Sequence, residues 1–109
     1  MGDKAAEAST LHNLAHLLQD MHLYPEARTK FEEAIALNRE IANHSGEAAG
    51  LFSMALLLYD HLNRKEEAVI HMEQAIEVLL ETDLPQDAAG HRIAGLQNQL
   101  LLMKREISS

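Results

Sequence analysis

Leu11-His12-Asn13-Leu14-Ala15-His16-Leu17-Leu18-Gln19-Asp20 decides the fold, because Leu51-Phe52-Ser53-Met54-Ala55-Leu56-Leu57-Leu58-Tyr59-Asp60 repeats its plan forty residues later. Steps of three and four between Leu11, Leu14 and Leu18, and between Leu51, Met54, Ala55 and Leu58, put one apolar face on each of two helices. A second pair follows: Glu26-Ala27, Phe31 and Ala34-Ile35 recur forty-one residues on as Glu67-Ala68, Met72 and Ala75-Ile76. The slip of one residue falls in the turn between paired helices, where an insertion is easily absorbed. Two helical hairpins built to one plan make an internal repeat, which predicts a stack.

Helical periodicity continues outward from these stretches, through Phe31, Ala34, Leu37 and Ile41 and finally Ala89, Ile93, Leu96, Leu100, Met103 and Ile107. Pro25 suits a first helical turn, since the N–H it lacks would find no partner there. Asn43-His44-Ser45-Gly46 is read as ending one helix and capping the next, with Ser45-Gly46 in the inter-repeat turn. Asn63 with Glu66, and Asp83 with Gln86, have capping-box spacing, and Pro85 is placed early in the last helix. The expected helices lie near 4–21, 25–42, 46–62, 65–81 and 85–106.

Composition agrees with an all-α chain of 109 residues: 47% apolar, rich in Ala, Leu and Glu, with only two Pro and five Gly. The absence of cysteine excludes disulfides, thiolate metal sites and cysteine nucleophiles. The start, Met1-Gly2-Asp3-Lys4, leads into no apolar run, and Ala55 to Tyr59 is too short to span a bilayer. The expectation is a cytoplasmic chain with no membrane partner. A net charge of −8 with no Lys/Arg stripe argues against nucleic acid and favours partners carrying basic residues.

The doubled pattern resembles the tetratricopeptide repeat. The large–x2–large–small–x2–large spacing of that family's first helix matches Leu11, Leu14, Ala15 and Leu18, and again Leu51, Met54, Ala55 and Leu58. The small–x3–large–x2–small spacing of its second helix matches Ala27, Phe31, Ala34 and Ala68, Met72, Ala75, with Tyr24 before it. The forty-residue period and Thr10-Leu11-His12-Asn13-Leu14-Ala15 are similar to the long repeats of kinesin light chains. Long repeats of this kind also occur in G-protein regulators that bind spindle proteins. The glycine often beside the small residue of the first helix is absent, and Gln97 stands where a fifth helix would need a small residue. The resemblance implies a right-handed stack of antiparallel hairpins in one domain over 1–109. Repeat 1 would cover about 5–43, repeat 2 about 46–82, and a terminal capping helix about 85–106.

It also implies a protein-interaction scaffold whose concave groove, lined by the first helix of each hairpin, holds a protein or peptide. The groove would carry Ser9, His12, Asn13, His16, Gln19 and Asp20 from the first hairpin. The second would add Ala49, Phe52, Ser53, Leu56, Tyr59 and Asp60, and the fifth helix His91, Ala94, Asn98 and Leu101. Asn13 matches the position that holds peptide backbone in kinesin-type repeats, and Ser53 replaces it in the second hairpin. His12, His16 and Phe52 stand where chaperone-binding members carry a carboxylate clamp, so that clamp is absent. Phe52, Leu56 and Tyr59 lie off the core stripe of their helix; either the fifth helix covers them or they anchor an apolar partner side chain.

Seven histidines are many for this length, and His12 and His16 are spaced to chelate a metal on one helix face. Asn13 stands where a catalytic zinc helix carries Glu, and no third ligand can be assigned, so the sequence predicts no metal and no cofactor. Asp60-His61 diverge on adjacent helical positions, and no nucleophile motif or phosphate loop is present, so no enzymatic activity is expected. The several histidines in one groove also suggest binding that varies with pH. Leu100-Leu101-Leu102-Met103 is apolar all round and suggests an alternative role: oligomerisation through Leu101 and Leu102, or membership of a longer repeat array.

Overall fold

The computed structural model describes residues 3–108 as an all-α stack of five helices. Met1, Gly2 and Ser109, covered by the single-domain and leader expectations, lie outside the described residues. The helices are α1 (Lys4–Asp20), α2 (Tyr24–Glu40), α3 (His44–Asp60), α4 (Lys65–Glu81) and α5 (Ile93–Ser108). The first four contain 17 residues each. Short turns make neighbours antiparallel, and α3 lies between α2 and α4, with α5 against α4.

The turns repeat as the helices do. His22, Ala42 and Asp83 adopt φ of 62°, 55° and 56° just past α1, α2 and α4. Each left-handed residue closes a Schellman motif. Leu23 N donates to Leu18 O and His22 N to Gln19 O, both at 2.9 Å. Asn43 N and Leu84 N repeat the outer bond to Asn38 O (2.8 Å) and Leu79 O (2.9 Å). The turn after α3 is one residue longer, 61–64 against 21–23, and closes through Arg64 N to Leu58 O at 2.9 Å. This extra residue accounts for the forty-one-residue spacing of the second helices.

Two capping expectations are corrected. Asn63 (φ 54°) and Asp83 are left-handed helix terminators, not N-caps, and the N-cap of α4 is Arg64 without a side-chain bond. Asn and Asp tolerate this conformation better than most side chains, so the same residue types serve the opposite end of a helix. Ser45 and Gly46 belong to the first turn of α3, while Asn43 Oδ1 caps it by accepting from Gly46 N at 3.3 Å.

The fifth helix starts eight residues later than expected. Asp87 captures the segment before it: its carboxylate accepts from Ala89 N (2.9 Å) and His91 N (2.8 Å), bonds that compete with helix formation. Gly90 N donates to Asp87 O at 3.0 Å, closing a turn with Gly90 at φ 89°, and Gln86 pairs with Arg92 in an isolated antiparallel bridge. Pro85 and Ala89 are therefore outside α5.

The core runs through Phe31, Leu51, Met54, Leu57, Leu58, Met72, Leu79 and Leu96, all essentially inaccessible to water. Small residues let the helices approach: Ala15, Ala27, Ala55, Ala68 and Ala75 are fully buried. Gly50 packs so closely that a Cβ there would stand 2.7 Å from Ile35 Cγ1. Leu14, expected in the core stripe of α1, is instead 36% exposed, and Met21 just past the helix is 57% exposed. Helix α1 packs chiefly on α2, so its Leu14–Leu17–Met21 face lies outside that contact. No described helix is long and apolar enough to cross a membrane.

Candidate functional site

Helix α1 presents Ser9, His12, Asn13 and His16 on the side facing the first turns of α3. Between them lies a cavity of about 400 Å³, floored by Ala8, Gly46 and Ala49. Asn38 and Asn43, at the α2–α3 junction, close one end, and Ala88 and Ala89 of the segment before α5 form a wall. Asn43 Nδ2 donates to Asn38 Oδ1 at 3.1 Å, fixing both carboxamides. A Cβ on Gly46 would stand 2.7–2.9 Å from these amides, so only glycine lets the α3 backbone approach them.

The Nε2 atoms of His12 and His16 are 3.1 Å apart, and His16 Nε2 is 3.4 Å from Ser53 Oγ. Both rings stand edge-on to Phe31, with centroids 5.5 and 5.1 Å away. Burial holds both imidazoles below the ordinary histidine value of 6.5. The adjacent His16 lowers His12 further while Asp87 opposes the shift; Asp20 opposes it at His16.

Phe52 is only 8% exposed. Its ring meets His91 of the segment leading into α5, with the two ring centroids 4.2 Å apart. His91 is held in turn by its Nδ1–H donating to Asp87 Oδ2 at 2.9 Å. Ala88 N donates to Ser45 O at 2.9 Å, pinning this strap to the start of α3. Phe52 is thus a support beneath the groove surface, and the face a visitor meets there is imidazole.

The remaining expected residues are spread along the stack. Gln19 and Leu56 are half-buried, and Leu56 packs against the core. Tyr59 is half-buried with its hydroxyl donating to the Glu106 carboxylate of α5, while Lys65 Nζ stands 5.1 Å from its ring centroid. Asn98, Leu101 and Leu102 are exposed on α5. The fold brings His12, Asn13, His16 and Ser53 together; it does not bring Tyr59 or Asn98 into that cavity. Asn38, Asn43 and Asp87 join the site without having been singled out from sequence. The Asp87-Ala88-Ala89-Gly90 spacing is the turn signal that could have found the strap. Among the described residues no group of three or more His, Asp or Glu side chains is placed to hold a metal.

No curated protein and no solved structure matches this sequence. Residues 6–81, well over half of the chain, match the tetratricopeptide repeat, covering both hairpins and the cavity-forming faces of α1 and α3. The chain belongs to the tetratricopeptide-repeat family.

Proposed function

We propose that the groove between α1 and α3 holds a segment of a partner protein. Tetratricopeptide repeats mediate protein–protein interaction, and the observation that supports this site for it is the polar cavity beside Asn13 and His16. Asn13 and His16 are exposed, His12 and Gln19 half-buried, so their amide and imidazole groups can bond a peptide backbone. Ser53 sits behind His16, and Phe52 supports His91 as a flat, partly apolar platform. Leu56 and Tyr59, with Asn98 on α5, extend the surface toward the far end of the stack. The acidic chain favours a partner with basic residues around an apolar one. Capture of partners from native lysate, repeated with Asn13→Ala/His16→Ala, tests the reading: the variant retains the fold and loses the captured proteins. Retention of the same proteins by the variant overturns it.

A second reading rests on Leu101 and Leu102, 55% and 47% exposed side by side on α5. It makes α5 a self-association surface. Light scattering at high concentration checks it: Leu101→Glu/Leu102→Glu should dissociate an oligomer, and a strictly monomeric parent removes the reading.

A further inference from the structure

We propose that His12 and His16 form a two-imidazole chelate for a divalent transition-metal ion of borderline softness, such as Ni²⁺ or Zn²⁺. The two Nε2 atoms are 3.1 Å apart. Two nitrogens bound to one ion at about 2.0–2.1 Å stand about 2.8–3.0 Å apart at the octahedral angle and about 3.3–3.4 Å apart at the tetrahedral one, and the observed separation lies between these. The pair is therefore already at chelating separation, and both rings are fixed by their edge contacts with Phe31. Binding requires little rearrangement: the ring that donates in the pair moves its proton from Nε2 to Nδ1, so that both Nε2 lone pairs face the ion and each neutral imidazole carries its single proton on Nδ1.

Two features of the surroundings favour a cation. No lysine or arginine lines the cavity, and the acidic side chains whose charge reaches the pair are Asp20 and Asp87, within a chain of net charge −8. The adjoining cavity of about 400 Å³ has room for the water molecules that complete the coordination shell. Two protein ligands with open positions make a labile site, which an incoming donor atom can join; an all-protein structural zinc site has four.

Calorimetric titration of the whole chain with NiCl₂ and with ZnCl₂ at neutral pH tests this. The expected result is one ion per chain with micromolar affinity. His12→Gln and His16→Gln should each weaken it at least tenfold, with unchanged circular dichroism, while His61→Gln leaves it intact. Two-dimensional NMR should show Ni²⁺ broadening centred on α1. Absence of one-to-one binding, affinity undiminished from the parent in the His12→Gln or His16→Gln variant, or broadening centred on another histidine overturns the proposal.

Discussion

His91 covers Phe52: their ring centroids are 4.2 Å apart, and the imidazole is held in place by the buried carboxylate of Asp87. An aromatic ring that the family resemblance places on the groove is thereby withdrawn from it by the strap leading into α5. Asp87→Ala removes the acceptor for Ala89 N, His91 N and His91 Nδ1 at once. The expected cost is about 1–3 kcal/mol in urea denaturation. Hydrogen exchange should accelerate at Ala89 and His91, while the amides inside α3 stay protected.

Gly50 lies against Ile35, where a Cβ would approach Cγ1 to 2.7 Å. Alanine is the better helix former, so propensity alone predicts that Gly50→Ala stabilises α3 by about 1 kcal/mol. Overpacking of the α2–α3 contact outweighs this, and a net loss of about 1–3 kcal/mol is expected. Ile35→Ala in the same chain should recover part of that loss, giving a favourable coupling in a double-mutant cycle.

Ala42 ends α2 at φ 55° with a side chain that has no local hydrogen bond to offset the strain. Glycine carries no such penalty, so Ala42→Gly should stabilise the chain by about 1 kcal/mol. A raised urea midpoint with an unchanged slope verifies it; a lower midpoint would mean that unfolded-state entropy dominates at this turn.

The folded-state values of His12 and His16 lie below the unfolded value of 6.5, so the unfolded chain binds protons more readily. Their contribution to stability is present in full above pH 6.5 and is lost as pH falls through the lower folded values. Carboxylates add their own dependence, so the quantity to measure is the difference between the parent and His12→Gln/His16→Gln. That difference should shrink between pH 7.5 and pH 5. A difference that grows on acidification would contradict the shift.

The repeat was legible because it is written twice: the Ala15/Ala55 and Phe31/Met72 correspondences specify helix crossings that the core reproduces. Even the one-residue offset has its counterpart in the longer turn after α3. Helix ends were less legible, since Asn and Asp serve both as N-caps and as left-handed terminators, and only hydrogen bonding separates the roles at Asn63 and Asp83. The start of α5 was obscured because Pro85 and Ala89 fit helical spacing, whereas Asp87 takes the amides that a helix would use. At the site, His12, Asn13 and His16 followed from the family resemblance, which puts the first helix of each hairpin on the groove. Asn38 and Asn43 join them through folding of the α2–α3 junction, a relationship that no spacing within one helix encodes.

Phe52 is a poor probe of the groove, because truncating it disturbs the packing beneath His91. The direct measurement is a peptide-display selection on the folded chain, with each selected peptide titrated against Asn13→Ala/His16→Ala and against Gln74→Ala, which lines a separate cavity. Binding in the groove requires at least a tenfold loss of affinity in the first variant and none in the second. Peptides that bind the Asn13→Ala/His16→Ala variant as tightly as the parent would place the partner surface elsewhere.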